Sequence, residues 1–410
     1  MKFNKSEDMT SGSPMKHLLH FSGPLAITYI FQQLYTLADA VIVGRLIGTT
    51  AYAAVGVAAS YTWLLLSVVL GFTQGCGILY GNRFGGKNEN GLKSAIGTSV
   101  WITGCLAVIL TVLGILLARP AMGLIDTPAE LEEQTLVYIY WMTGGIAASL
   151  AYNMAGTLLR AMGNSSTSMI AAILSSILNV VLDFLLAGIF SMGVAGVALG
   201  TILANLFAFG YCLSVLRKVP EVKLSGRYYR PERNDLHELL RLSAPIAVRN
   251  LVISAGGLVV QKIINGYGTY VIAGITAAKK YYGIMEIAGA ALEGAVAAFV
   301  AQNYGKRDWR RIRQGVRSAR LMGGIASGMI TILMILSGRT LIGLMVKAGT
   351  DGYAVVVESG YCYLVIISIC LPMLYMLFIH RAAIQSIGGT GIPLASGFAE
   401  LGCRLFSVLV

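Results

Sequence analysis

Apolar side chains in this chain run in long uninterrupted stretches, each of the length that crosses a bilayer. Such stretches need roughly 18 residues or more. They lack the strict alternation of apolar and polar residues that a barrel strand needs. An open sheet is excluded as well, because a backbone in lipid must satisfy its own hydrogen bonds. The pattern predicts eleven transmembrane helices, at 18–45, 52–80, 92–118, 134–161, 165–190, 193–216, 238–266, 270–304, 312–337, 353–387 and 391–410.

Composition places the chain among polytopic membrane proteins. Of its 410 residues, 56% are hydrophobic and only 12% are charged, and the mean hydropathy is +0.71, which excludes an ordinary soluble protein. The net charge of +12 comes from basic residues in the breaks between apolar stretches, so it indicates topology and not nucleic-acid binding. Their distribution predicts a cytoplasmic amino terminus in a multi-pass protein of the cell membrane (the plasma or inner membrane).

An internal repeat divides the chain into two halves. The segment HLLHFSGPLA at 17–26 is echoed by ELLRLSAPIA at 238–247, and GNRFG at 81–85 is answered by QNYG at 302–305. Six helices return a half to its starting side, so the halves are parallel repeats, an architecture of transporters. We therefore predict an all-α integral membrane protein with a cytoplasmic segment 1–17, a lobe 18–217, a cytoplasmic linker 218–236 and a lobe 237–410.

Aligning Gly163 with Gly388, after the fourth span of each half, predicts that the last helix of a twelve-helix plan is missing from this sequence. Val410 falls just past the counterpart of Asp183 in the second half. We expect the sequence to be a fragment of a longer reading frame, and a natural eleven-span protein is the alternative.

Two aspartates within apolar stretches are the leading candidates for function. Ionising Asp39 or Asp183 near the bilayer centre costs about 2.5–3.5 kcal/mol on insertion scales, so both should face a cavity or each other. Gln32 and Tyr35 share a helix stripe with Asp39, and Asn179 lies one turn before Asp183. Two carboxylates in one apolar chamber would repel, and an entering proton or sodium ion would relieve the repulsion.

Several segments resemble those of multidrug and toxic compound extrusion (MATE) transporters. They are QQLYTLADAVIVGR at 32–45, LRAMGN at 159–164, NVVLD at 179–183 and MGVAGVALGT at 192–201. The resemblance covers essentially the whole chain. It implies a V-shaped pair of six-helix lobes that exports varied, often cationic compounds in exchange for sodium ions or protons, without ATP or any other cofactor.

By this resemblance, Asp39, Asn179, Asp183 and Thr201 match the cation site of the first lobe, where oxygen ligands would suit Na⁺, the one metal ion expected. Asn179 and Thr201 have an alternative role as interhelical hydrogen-bond partners.

Further candidates carry weaker signals. Gln32, Tyr35, Tyr138 and Asn153 are expected to line the substrate cavity, with simple packing as the alternative for the last three. Pro24 and Pro245 lie early in the first helix of each half, where a proline either kinks a helix or is tolerated near its start.

The second half carries a different set of charges. Arg249 stands in the seventh span, where some members of the family have an acid, so we expect no cation site there. Lys279, Glu286 and Glu293 recur every seven residues and predict a charged stripe facing the substrate cavity. Arg249 or Lys280 would neutralise one glutamate and leave the other to attract a cation, unless the set is a structural ion pair. Glu400 is a further acid within a span.

The predicted function is secondary active multidrug efflux by antiport, in a monomer whose partners are the lipid bilayer and small organic compounds. The alternative is a flippase for lipid-linked oligosaccharide or peptidoglycan precursors, which would need a markedly basic cavity. An enzyme is not expected, since the four histidines are isolated and neither an activated nucleophile nor a P-loop is present in the sequence. The residues alone do not name the substrate or choose between Na⁺ and H⁺.

Overall fold

All regular structure in the described part of the chain is helical. The computed structural model describes residues 8–125, 127–224, 226–345 and 352–409. The prediction of an all-α membrane protein is confirmed. The helices are α1 (Pro14–Ile42), α2 (Thr49–Gly85), α3 (Glu89–Leu124), α4 (Ala129–Gly144), α5 (Ile146–Ala161), α6 (Ser165–Asp183), α7 (Gly193–Leu216), α8 (Arg233–Ile264), α9 (Thr269–Gly305), α10 (Trp309–Leu344), α11 (Tyr353–Ser386) and α12 (Gly391–Leu409).

Nine helices in these ranges are long and apolar enough to cross a membrane, and each matches a predicted span. The predicted span 134–161 is different, because the chain breaks it at Gly145 into α4 and α5. A Cβ at Gly145 would overlap the side chain of Ile202 on α7. Close packing therefore accompanies this break in the middle of the span. The last predicted span corresponds to α12.

The internal repeat is visible in the backbone between the second and third helix of each half. Lys87 and Arg307 both adopt a left-handed conformation, with φ of 54° and 63°. Asn88 and Asp308 follow them, and the side chain of each accepts a hydrogen bond from the backbone N–H three residues later at 2.9 Å. The two halves thus make the same capped turn at positions 220 residues apart.

The two halves meet along α2, which packs against α8 and α9. Four glycines of α2 allow this approach, because a Cβ at any of them would overlap the opposite helix. Arg83, near the end of α2, pairs with Glu238 at 2.7 Å and with Asp235 at 3.3 Å. The lobes are therefore held together at the end where the linker lies. The glycine contacts are Gly71 with Ala247, Gly75 with Ser243, Gly81 with Ala301 and Gly85 with Gln302.

Two segments outside the helices reinforce this linker end. The chain between α7 and α8 makes two short 3-10 turns, Pro220–Val222 and Gly226–Tyr229, and α8 begins at Arg233, inside the predicted linker. Residues 9–12 lie against α9 and α10, where the Arg311 guanidinium donates four hydrogen bonds to their carbonyl oxygens. Residues 1–7 of the predicted cytoplasmic segment lie outside the described residues.

Both intrahelical prolines are accommodated without ending their helices. α1 runs through Pro24 and α8 through Pro245. Because proline has no N–H, Pro245 cannot bond to the carbonyl of Arg241, four residues earlier. That carbonyl accepts a hydrogen bond from Thr390 Oγ1 at 3.4 Å instead. A role for either proline in bending remains a prediction.

Candidate functional site: a buried acidic pair in the first lobe

Two aspartates from different helices meet inside the first lobe. Asp183 is the last residue of α6 and is fully buried, and Asp39 lies close to the end of α1. Each is followed by a single widened π-helical segment, Phe184–Ile189 after α6 and Val43–Ile47 after α1. Such segments occur often at functional sites. The two carboxyl groups lie close enough to repel each other when both are ionised, although their positions are 144 residues apart in the chain.

Asn179 and Thr201 complete this group. Asn179 Nδ2 donates to Asp183 Oδ1 at 3.3 Å and to Thr201 Oγ1 at 3.4 Å, and Thr201 Oγ1 donates to the Val197 carbonyl at 3.2 Å. α1, α6 and α7 thus bring together all four residues predicted for cation binding, here called the acidic site: Asp39, Asn179, Asp183 and Thr201. The asparagine and threonine also link α6 to α7, so both roles considered for them fit the geometry.

The acidic site contains buried oxygens without donors. Asp39 Oδ1, Asp183 Oδ2 and Asn179 Oδ1 are inaccessible to solvent and have no hydrogen-bond partner. An unsatisfied buried acceptor costs about 1–3 kcal/mol, more when it is charged. All three atoms are acceptors, so a bound proton or a hard cation is the kind of ligand that would satisfy them. These oxygen atoms are therefore suitable ligands for either of the predicted coupling ions, a proton or Na⁺.

Small residues on α7 permit its close contact with the acidic site. A Cβ at Gly200 would overlap Asp183 Oδ1, and one at Gly196 would meet the backbone of Leu186 and Ala187. The two glycines, four residues apart, form the small-xxx-small pattern that brings membrane helices together. Gly200 thereby lets the carboxylate lie between α6 and α7.

A small polar cavity adjoins the acidic site. Its volume is about 50 Å³, and its lining includes Gln32, Tyr35, Asn179 and Thr201. Tyr138 on α4 interacts electrostatically with both aspartates. Asn153 does not line this cavity. Its Nδ2 donates to the Ser149 carbonyl within α5 at 2.9 Å. Sequence reasoning missed four other lining residues, which are uncharged polar side chains in apolar spans: Tyr152, Ser175, Ser176 and Asn205.

The predicted stripe of the second lobe lies on α9, which faces α1 of the first lobe. Lys279, Glu286 and Glu293 are all partly buried. Glu286 accepts a hydrogen bond from Tyr282 at 2.6 Å. Glu293 interacts electrostatically with Tyr29 of α1 and with Arg249. The stripe therefore reaches the boundary between the lobes.

Arginines neutralise much of the acid in this region. Arg249 is 5% exposed, and it donates through Nε and Nη2 to Asn250. Glu400 is bracketed by Arg381 at 3.1 Å and by Arg404 at 2.6 Å. The sequence identified Glu400 but not these two arginines. The spacing of four residues between Glu400 and Arg404 was the available signal, whereas the contact with Arg381 depends on the packing of α11 and α12.

A bundle of two homologous helical lobes, with a buried acidic site among helix ends in one of them, is the architecture of a membrane transporter. The MatE family model matches the chain twice, at residues 24–185 and 245–408. The chain belongs to the MatE family. Its members are transporters without enzymatic activity, so membership confirms both the resemblance found in the sequence and the prediction that the chain is not an enzyme.

Relatives named as multidrug resistance or export proteins are similar along most of their length. The probable multidrug resistance protein YpnP of Bacillus subtilis is 26% identical over 94% of this chain and 85% of its own, and YoeA of the same organism is 27% identical over 79% and 72%. The multidrug export protein MepA of Staphylococcus saprophyticus is 24% identical over 81% and 74%.

Solved structures share the fold. A MOP superfamily transporter of Pyrococcus furiosus, described as having a binding pocket of reversed polarity, gives a TM-score of 0.88 at 21% identity and covers 98% of this chain and 90% of its own. An outward-facing MATE family transporter gives 0.86 at 21% identity, over 96% and 87%.

Proposed function

We propose that this protein is a multidrug efflux transporter that exports organic, often cationic compounds by antiport with protons or sodium ions. The acidic site of the first lobe carries the proposal. It offers two interacting carboxylates and three buried oxygens without donors, and these are the groups that a coupling cation would satisfy. The names of the relatives, multidrug resistance and multidrug export proteins, support the same substrate class.

The physical basis of coupling is the cost of two negative charges in one buried chamber. A cation that enters between Asp39 and Asp183 removes their mutual repulsion and the cost of the unsatisfied oxygens. Its departure restores both. A ligand shifts a conformational equilibrium by its difference in affinity for the two states. Cation binding would therefore favour a lobe arrangement that keeps the chamber closed, and its release would favour the other.

Substrate would bind between the lobes under this proposal. Glu286 and Glu293 lie on the helix that faces α1, and a partly neutralised acid there would attract a cationic compound through a low-dielectric passage. Glu286→Gln and Glu293→Gln test this role separately from coupling. We expect weaker apparent affinity for cationic compounds in at least one variant, whereas unchanged affinity in both would remove the stripe from the substrate site.

We further infer a monomer in the plasma or inner membrane with a cytoplasmic amino terminus. The basic residues of the linker, of the start of α10 and of the segment before α1 support this orientation. Cysteine-accessibility labelling at residues of the linker and of the 119–133 break would test it, since opposite sides are expected.

The test of the function uses the full chain in inverted membrane vesicles. Accumulation of a fluorescent organic cation is followed under separately imposed proton and sodium gradients, with Asp39→Asn and Asp183→Asn beside the wild type. Glu130→Gln, at an exposed position early in α4, makes the same kind of change away from the acidic site. We expect one gradient to drive uptake in wild type and control and neither gradient to drive it in the aspartate variants. Wild-type activity in both aspartate variants would refute the proposed site.

A second candidate, a flippase for lipid-linked precursors, is favoured by one observation. Arg249 Nη1 is buried without a partner, and Arg381 and Arg404 lie in the same lobe, so the second lobe holds cationic groups that could meet a pyrophosphate. The three acids described above balance these three arginines, and the first-lobe site is acidic. Cation antiport therefore remains the leading proposal. If wild type moves no organic cation under either gradient, the flippase becomes the better one.

A further inference from the structure

An open groove lies between the beginning of α10 and α11, at the linker end of the second lobe. Its volume is about 670 Å³. Arg313, Arg317 and Arg320 line it together with apolar side chains that include Val316, Leu321 and Met376. The groove is distant in sequence from the acidic site and uses none of its residues. It combines a strongly basic part with an apolar part.

The three arginines form one face of α10. Their spacing of four and three residues places them on adjacent turns, and all three are exposed. In the ranges that the structure describes, none of the three pairs with a carboxylate. The groove therefore presents three positive charges without a paired carboxylate among the described residues.

The position of the arginines along α10 matches the boundary of the hydrocarbon layer. Residues 321–338 contain no charged side chain, and a stretch of that length crosses the apolar core. Arg320 is the residue directly before it, and Arg313 lies about 10 Å further out at 1.5 Å per residue. The three arginines thus extend through the headgroup layer that contains the lipid phosphates, and Leu321 is at the level where acyl chains begin.

The first half of the chain shows what covers the equivalent surface there. The capped turns align α10 with α3 at an offset of 220 residues, so Arg317 corresponds to Gly97. The linker lies directly on Gly97, through the carbonyl of Tyr228. Ser94 donates to Glu232 of the linker at 2.7 Å, and Val222 of the linker is buried in the core. An acidic group and apolar side chains thus cover α3.

We propose that the groove on α10 binds an anionic phospholipid, which occupies the place that the linker takes on α3. The phosphate meets the three arginines, whose planar guanidinium groups bind phosphate oxygens in pairs. An acyl chain follows Val316, Leu321 and Met376. A zwitterionic lipid brings its own positive charge and leaves the arginines uncompensated, so the site prefers a net negative headgroup.

The test counts lipids retained by the purified transporter. Native mass spectrometry after titration with phosphatidylglycerol or phosphatidylcholine compares wild type with the triple variant Arg313→Gln, Arg317→Gln, Arg320→Gln. Each basic residue near a membrane surface contributes roughly a factor of 5 in affinity. We expect the triple variant to bind phosphatidylglycerol about 100-fold more weakly, with little change for phosphatidylcholine.

A matched control separates the groove from general charge attraction. Arg217→Gln, Lys218→Gln and Lys223→Gln remove the same number of exposed charges from the end of the first lobe and the start of the linker. This control should retain phosphatidylglycerol as wild type does. Equal loss of phosphatidylglycerol in both triple variants would overturn the site. Displacement of the lipid by inorganic phosphate as effectively as by free phosphatidylglycerol would also overturn it, because it would indicate an anion site without an acyl chain. A dimer that disappears only in the arginine variant would assign the groove to a second copy of the chain.

Discussion

Replacing Gly200 by alanine tests whether the position of the Asp183 carboxylate controls cation binding. The added Cβ would overlap Asp183 Oδ1, the oxygen that also accepts the hydrogen bond from Asn179. Either α7 moves outward or the carboxylate turns away from its neighbours. Both movements separate the oxygen ligands of the acidic site, while no charged or hydrogen-bonding group is removed.

The expected magnitude follows from the cost of overpacking. An extra methyl group in a well-packed interior costs about 1–3 kcal/mol. If this strain is borne by the cation-bound state, the affinity for the coupling ion falls by roughly 5- to 150-fold, because 1.4 kcal/mol corresponds to a factor of ten. Helix propensity works in the opposite direction, since alanine is better than glycine by about 1 kcal/mol. The protein should therefore remain folded.

The assay measures initial export rates in proteoliposomes as a function of the coupling-ion concentration. Gly210→Ala is the matched control, because it changes the same residue type on α7 where a Cβ meets nothing within 4 Å. Gly196→Ala pushes α7 away from the π-helical segment Phe184–Ile189 through backbone contacts, without touching the carboxylate. We expect a raised half-saturating ion concentration for the Gly200 variant and a wild-type value for the Gly210 variant. A folded Gly200 variant with the wild-type value would refute the reasoning.

Two further predictions concern arginine contacts outside the acidic site. Arg311→Gln removes the charged donor that holds residues 9–12, so amide hydrogen exchange in that segment should become at least tenfold faster. Arg310→Gln, at an exposed neighbour, should leave the exchange rate unchanged. Equal exchange rates in the two variants would contradict the anchoring role of Arg311. Glu400→Gln leaves two arginines without their shared acid. Breaking a buried ion pair lowers the free energy of unfolding by about 3–5 kcal/mol, and the partial exposure of Glu400 reduces this loss to about 1–3 kcal/mol. Its melting temperature should fall by several degrees, while Glu358→Gln, which breaks a surface pair with Arg339, should give no measurable change.

The sequence predicted the acidic site because burial of charge in lipid is costly. Asp39 and Asp183 could be identified without any knowledge of packing, since few other charges occur within the apolar spans. Their mutual contact depends on α1 meeting α6, and spacing along one helix does not reveal it. The resemblance to a family supplied Thr201, which has no distinguishing pattern of its own. Asp183 thus stood out in the sequence, whereas Thr201 did not.

Features that depend on contacts between distant helices were beyond sequence reasoning. Ser175 and Asn205 line the cavity, but a single small polar residue in a span is as often a link between helices. The break at Gly145 was not predicted from the continuous apolar stretch, and the contact with Ile202 that accompanies it is visible only in the tertiary structure. Arg381 was missed for a similar reason, since its partner Glu400 lies on the next helix. Local patterns predicted the helices, and only the tertiary structure gave these contacts.

The contact between Gly81 and Ala301 has a consequence for the origin of the molecule. The two residues are 220 positions apart, the same offset that relates Asn88 to Asp308, so each is the repeat counterpart of the other. Counterparts touch each other only where a two-fold axis passes, as in an isologous dimer. An ancestral homodimer with this arrangement would have set one residue against its own copy. Any bulky side chain there would have clashed with itself, so gene duplication inherited a position restricted to small residues.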